Sequence, residues 1–225
     1  MARTTTWRRR LAIMVREPVA GRTKTRLARD IGQAAALRFY RANLRAVTRR
    51  LANDPRWQTV LSVEPATATR SRAFLDFLPR SPQVRGDIGR RMQAALAAPL
   101  PAGPAPGPVV LIGSDIPAVR PAHIAHAFRL LGRNDLVFGP SADGGFWLVG
   151  MRRSPRTIEA FPAPVSWSSP DTLAECIDAL PGLRIGLAET LSDTDAAADL
   201  ARLGSAAGRL ISPSRLGADG CFRRP

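Results

Sequence analysis

Four short stretches carry residue types that can do chemistry. The first, "REPVAGRTKTRL" (16–27), holds Lys24, the only lysine among 33 basic residues. Around it stand Gly21, Arg22 and Arg26. A glycine that lets the backbone approach closely, followed by three cations before a helix start, suits a phosphate group, because free N–H groups and the helix dipole also favour an anion there. Lysine is a compact, mobile point charge that can follow charge developing on a phosphoryl group, whereas arginine is a fixed fork. A Walker A reading of Lys24-Thr25 fails, since its glycines would have to stand where Pro18 and Thr23 do. The second stretch is "LIGSDIPAVRPAHI", where a buried run ends in Gly113-Ser114 before Asp115. A carboxylate at such a tip can hold Mg²⁺ or Mn²⁺ on a diphosphate, and the competing explanation is a helix cap. The third is "FGPSADGGFWLVG" (138–150), in which Asp143, Gly144 and Gly145 form a turn before Trp147. The fourth is "SDTDAAADL" (192–200), whose Asp193 and Asp195 would share one face of an extended segment and supply a second metal ligand, unless Asp195 only caps a helix.

These loops need a scaffold, and the hydrophobic pattern supplies one. "LAIMV" (11–15), "TVLSV" (59–63), "VVLIG" (109–113) and "DLVFG" (135–139) are unbroken apolar runs of strand length, as expected of strands covered on both faces. Between them "GQAAALRFYRANLRAVTRRLAND" (32–54) repeats apolar residues at helical spacing, and further helices are expected over 71–78, 88–98, 121–131, 170–180 and 196–203. Strands alternating with helices predict a three-layer α/β/α domain with a mostly parallel central sheet, in which ligands bind beyond the carboxyl ends of the strands. "PLPAGPAPGP" (99–108), with five prolines, is a loop.

Composition narrows the function. The net charge of +15 is concentrated: residues 1–56 hold 15 basic and 3 acidic side chains. That suits a polyanion site or a nucleic-acid surface, but no nucleic-acid motif accompanies it, and nucleic acid is disfavoured as a partner. Cys176 and Cys221 show neither a disulfide nor a zinc pattern. The apolar run after the basic start is too short for a signal peptide or membrane span, so a cytoplasmic enzyme is expected. The expected organisation is a basic extension (1–10), one domain (11–205) and a tail (206–225).

"QVRGDIGRRMQAAL" (83–96) adds Gly86, Asp87 and Arg91, which could grip a base or ribose. Taken in order, "PVAGRTKTRL", "GDIGRRM", "GSDIP", "GPSADGGFWLVG", "VSWSSPDT" and "LSDTDAAADL" resemble a bacterial family of small GT-A-fold transferases. Its members are labelled arsenosugar-biosynthesis glycosyltransferases or radical-SAM/selenodomain-associated transferases. More distantly the pattern is similar to 2-phospholactate and molybdenum-cofactor guanylyltransferases. The resemblance implies a nucleotide-diphospho-sugar transferase (GT-A, Rossmann-like) fold and a nucleotide-activated donor. It places Lys24 and Arg26 at the phosphates, Gly86, Asp87 and Arg91 near the base or ribose, and Asp115 on the metal. Asp143, Trp147 and Trp167 would line the side of a small-molecule acceptor. Many GT-A glycosyltransferases carry an Asp-x-Asp metal motif, whereas here Gly113 stands two residues before Asp115. Glycosyl transfer is the leading expectation, with nucleotidyl transfer to a phosphorylated acceptor as the alternative.

Overall fold

The computed structural model describes residues 9–98, 107–153 and 157–193. Seven strands form one sheet: β1 (Arg10–Arg16), β2 (Gln58–Glu64), β3 (Arg80–Pro82), β4 (Val109–Gly113), β5 (Leu136–Pro140), β6 (Phe146–Met151) and β7 (Ile185–Leu187). Their order across the sheet is β3-β2-β1-β4-β6-β5-β7. All neighbouring pairs run parallel except the two made by β6, which is antiparallel to β4 and β5.

The apolar runs are strands because both of their faces are covered. Leu11, Ile13 and Val15 of β1, with Val110 and Ile112 of β4, join one core cluster. Their alternates Ala12, Val109 and Leu111 join the other. The first face is covered by α2 (Gln33–Ala52) through Tyr40, Leu44, Val47 and Leu51, and by α4 (Pro121–Leu130) through Ile124 and Phe128. The second is covered by α3 (Ile88–Ala97) through Met92 and Leu96, and by α5 (Thr172–Asp178) through Cys176. This is the expected α/β/α sandwich. A short helix, α1 (Thr25–Ile31), turns the chain from the first loop into α2.

Two elements differ from expectation. Residues 71–78 form turns, preceded by a 3-10 helix at Ala66–Arg70. Arg80 explains this: its guanidinium donates to the carbonyls of Thr69, Ser71, Phe74 and Leu75, the groups a helix would have engaged. Phe74 and Leu78 still reach the core, so their spacing reflects burial without helix. The N-terminal boundary also shifts, because Arg10 is buried in β1 and its guanidinium donates to Ala95 O and Ala98 O at the end of α3. The expected helix at 196–203, the tail and Asp195 lie outside the described residues.

The sheet order sets the site. Strands β1, β2 and β3 build outward, and the chain then returns to place β4 on the other side of β1. The loops after β1 and β4 therefore diverge over one crevice. Because β6 is antiparallel, its first residue, Phe146, and the turn leading to it open on the same edge.

Candidate active site

The loop after β1 closes on itself through Thr23, whose hydroxyl donates to Val19 O at 2.9 Å. Gly21 has φ +75°, and a Cβ there would meet nothing within 4 Å. That φ lies in the left-handed region that favours glycine, and the space beside its Cα is open. Lys24 follows with φ 51° and ψ 48°, a left-handed conformation uncommon for lysine, as the residue preceding α1. This turns its side chain inward: it is only 6% exposed, and its Nζ donates to Asp115 Oδ2 at 2.8 Å. Residues 91 positions apart thus meet across the β1/β4 crevice.

Asp115 is shaped by the residue two before it. A Cβ on Gly113 would lie 2.7 Å from Asp115 Oδ1, so the carboxylate occupies the space that a side chain at 113 would need. Below the carboxylate, Ser114 is buried, its carbonyl accepting from Asn43 Nδ2 at 2.9 Å. Tyr40, the only tyrosine, accepts from Arg16 N at 3.1 Å and donates to Arg16 O at 2.9 Å. Its oxygen also lies 3.4 Å from Ser114 Oγ. Helix α2 thereby ties the ends of β1 and β4 together. Burial, with a smaller contribution from the Asp115 charge, pushes the Tyr40 phenol upward, against Ser114, Arg16 and Lys24.

Two compartments adjoin at Asp115. One, about 400 Å³, is lined by Arg16, Lys24, Tyr40, Glu64, Gln83 and Arg91 among others. Arg91 Nη2 reaches Glu64 Oε2 at 2.5 Å, and Arg16 Nη2 reaches the same oxygen at 2.9 Å. Arg91 Nε also donates to Gln83 Oε1 at 2.8 Å, while Gln83 Nε2 donates to Ser62 O at 2.7 Å. Burial pushes the Glu64 carboxyl up, but Arg16 and Arg91 together outweigh it and hold the group below the ordinary carboxylate value.

The other compartment, about 320 Å³, is lined by Asp115, Asp143, Gly145, Trp147, Trp167 and Asp193 among others. Asp143 Oδ1 accepts from Gly145 N at 3.1 Å, which fixes the turn. Gly144 lies beneath it with φ +85°, and a Cβ there would come 1.9 Å from Pro170 O. Trp167 packs so close to α3 that a Cβ on Gly89 would lie 2.4 Å from its indole.

The structure thus brings Lys24 and Arg91 to one compartment, Asp143, Gly145, Trp167 and Asp193 to the other, and Asp115 and Trp147 to both. It leaves Arg22 and Arg26 exposed on the surface, away from either lining. Gly86 is exposed as well, with φ +132°. Asp87 is the N-cap of α3, accepting from Arg90 N at 2.8 Å, and borders a separate groove. Tyr40, Asn43, Glu64 and Gln83 went unforeseen. The signal for two of them was present: a lone tyrosine and an asparagine on the mostly apolar face of α2.

Comparison with solved structures shows the fold: a mixed α/β domain of the GT-A-like kind found in nucleotidyl and glycosyl transferases. The chain matches a protein from Desulfovibrio desulfuricans G20 whose name assigns it provisionally to the nucleotide-diphospho-sugar transferases, with TM-score 0.74, 22% identity and 91% of each chain covered. It also matches a nucleotidyl transferase from Methanothermobacter thermautotroptrophicus, with TM-score 0.58, 13% identity, and 90% of this chain and 98% of that chain covered. A third match is glucosyl-3-phosphoglycerate synthase from Mycobacterium tuberculosis in complex with Mg²⁺ and UDP, with TM-score 0.50, 14% identity, and 94% and 83% covered. No curated protein matches the sequence. By sequence the chain belongs to the bacterial family DUF2064, described as an uncharacterized protein conserved in bacteria, whose profile matches residues 47–169. No helix among the described residues is long and apolar enough to cross a membrane.

Proposed function

We propose that this chain is a transferase that takes a nucleotide-activated donor in the Lys24 compartment and a small-molecule acceptor in the Asp143 compartment, and that the group transferred is glycosyl. The observation that carries this reading is the Lys24–Asp115 pair, 2.8 Å apart at the junction of the two spaces. Volumes of about 400 and 320 Å³ suit small-molecule ligands. The names of the solved structures of like fold, one of them holding UDP, support a nucleotide donor.

In this reading the acceptor hydroxyl attacks the anomeric carbon and a nucleoside diphosphate leaves. Lys24 Nζ is exchanged from Asp115 onto a donor phosphate oxygen, where it stabilises charge that grows as the bond breaks. Asp143 orients the acceptor hydroxyl and takes its proton. The residues present fit a hard divalent cation, since Asp115 and Asp193 bring carboxylate oxygens to one compartment. Among the described residues no group of three or more His, Cys, Asp or Glu gathers as a ligand set, so an Mg²⁺ or Mn²⁺ ion held here would take its remaining ligands from phosphate and water. Such an ion would neutralise the diphosphate as a Lewis acid.

Nucleotidyl transfer is the second reading. The buried lysine of the first loop favours it, because a point charge there suits an NTP α-phosphate under attack by a phosphorylated acceptor. The assay is a panel of nucleotide sugars with Mn²⁺, scored for nucleoside diphosphate release. Pyrophosphate from GTP or CTP would select the second reading, and release that survives both EDTA and Asp115→Ala would refute the metal assignment.

A further inference from the structure

The two histidines of the chain are His123 and His126, both on α4 and both facing Glu189. His123 Nδ1 accepts from Arg120 N at 3.1 Å, at the start of the helix. The remaining ring proton of the neutral imidazole is therefore on Nε2, which lies 3.3 Å from Glu189 Oε2. His126 Nδ1 stands 3.8 Å from the other oxygen, Oε1. The His123 side chain is 15% exposed, and its ring meets Trp147 edge-on at 6.3 Å.

Glu189 belongs to the segment that follows β7. Its backbone carbonyl accepts from Trp147 Nε1 at 2.9 Å. On either side, Ala188 N donates to Phe138 O at 2.8 Å and Leu191 N to Pro140 O at 3.2 Å. Four residues beyond Glu189, Asp193 enters the compartment that Trp147 and Asp115 also line. One carboxylate thus connects helix α4 to the segment that delivers a candidate ligand and buttresses an aromatic wall.

We propose that His123, in its neutral Nε2–H form, is a positioning residue: through Glu189 it sets where Asp193 and Trp147 stand in the second compartment. This rests on the reading of that compartment as the metal and acceptor side. Partners one step behind a metal ligand orient it, and their loss weakens metal binding without removing a donor atom.

The test uses two substitutions that divide the two contacts of the ring. His123→Asn keeps an acceptor near Arg120 N but cannot reach Glu189, whereas His123→Gln places an amide donor toward Glu189. Mn²⁺ affinity is measured by electron paramagnetic resonance on the full chain. The Trp147 indole N–H resonance, assigned with Trp147→Phe, is followed in parallel. His123→Asn is expected to weaken Mn²⁺ about fivefold to tenfold, at or below the usual range for such partners because Glu189 is 57% exposed, and to shift the indole signal. His123→Gln is expected to restore both. Wild-type values for both readouts in His123→Asn would overturn the proposal and leave the ring a helix cap only. If wild type binds no Mn²⁺ and Asp115→Ala changes nothing, the metal reading falls instead. The indole signal then decides alone: a shift in His123→Asn that His123→Gln reverses sustains the positioning role, and no shift overturns it.

Discussion

Lys24→Met isolates the charge at the centre of the site. Methionine keeps most of the unbranched stem, so packing in a position whose side chain is 6% exposed changes little, and what is lost is the ammonium. Breaking a fully buried ion pair costs about 3–5 kcal/mol, because the partner is left charged and dry. Asp115 is 36% exposed, so water can replace Lys24, and the cost to the fold falls to about 1–2 kcal/mol. At roughly 2–4 °C per kcal/mol for a chain of this size, Tm drops by only a few degrees. Ligand binding suffers more. A hydrogen bond to a charged group contributes about 1.5–3 kcal/mol, and each 1.4 kcal/mol is about tenfold in Kd. Lys24 must leave Asp115 to reach a phosphate, which offsets part of that gain and puts the expected loss nearer tenfold than hundredfold. Calorimetry with UDP, GDP and CDP, each with Mn²⁺, on wild type and variant measures it. A variant that binds within twofold of wild type while keeping its Tm would refute the placement of the phosphates at Lys24, and the lone lysine would be a composition accident.

Four further outcomes follow from the same geometry. Tyr40→Phe removes the hydroxyl that serves both Arg16 N and Arg16 O, and leaving those part-buried groups without it is expected to cost about 1–3 kcal/mol in denaturant unfolding. Gly144→Ala meets both a φ of +85° and the backbone of Pro170, so it should lose more than about 2 kcal/mol and lower Tm visibly. Glu64 has a lowered carboxyl value in the fold, so its ion pairs stabilise fully above the unfolded carboxylate range and that contribution is lost as pH falls through the lowered value. A Tm profile between about pH 5 and pH 3 should therefore fall less steeply for Glu64→Gln than for wild type. Gly113→Asp, which writes an Asp-x-Asp pattern into the loop, puts a Cβ 2.7 Å from Asp115 Oδ1, so Asp115 must turn from its present position and nucleotide affinity is expected to fall. Equal or tighter binding would count against the steric account of Gly113.

Much of the scaffold is legible in the sequence because its signals are local. The runs 11–15, 59–63 and 109–113 lie in strands and 135–139 overlaps β5, while the helices expected over 32–54, 88–98 and 121–131 are found at 33–52, 88–97 and 121–130. The failure at 71–78 has a long-range cause, since a guanidinium from Arg80 takes the carbonyls that a helix would use. Strand β7 has only three residues and is specified by its pairing with β5, which no local pattern announces. The candidate site divides along the same line. Loops after strands were recognisable for Lys24, Asp115 and Asp143, whereas Asp193, which shares a compartment with Asp115 and Asp143, follows the unannounced β7. Which charges face inward was not: Lys24 turns in with a left-handed backbone conformation that no local pattern announces, while Arg22 and Arg26 stay exposed. Asp87 shows the converse: a carboxylate between two glycines in sequence is a helix cap in space.

In the proposed metal reading, Gly113 is where this chain departs from a familiar pattern of paired acids. A first acid at position 113 would put its Cβ 2.7 Å from Oδ1 of Asp115, so Asp115 would have to turn from its present position. With glycine there, the carboxylate folds back over the strand end, where Lys24 can reach it at 2.8 Å from the opposite loop. In the proposed metal reading the second acid comes from elsewhere: Asp193, from a segment far along the chain, lines the same compartment. Losing a local pair of acids thus makes the site depend on the segment after β7, and through Glu189 on the two histidines of α4. The cost of that arrangement is sensitivity at a distance: substitutions at His123, which lines neither compartment, should alter what Asp115 and Asp193 can hold between them.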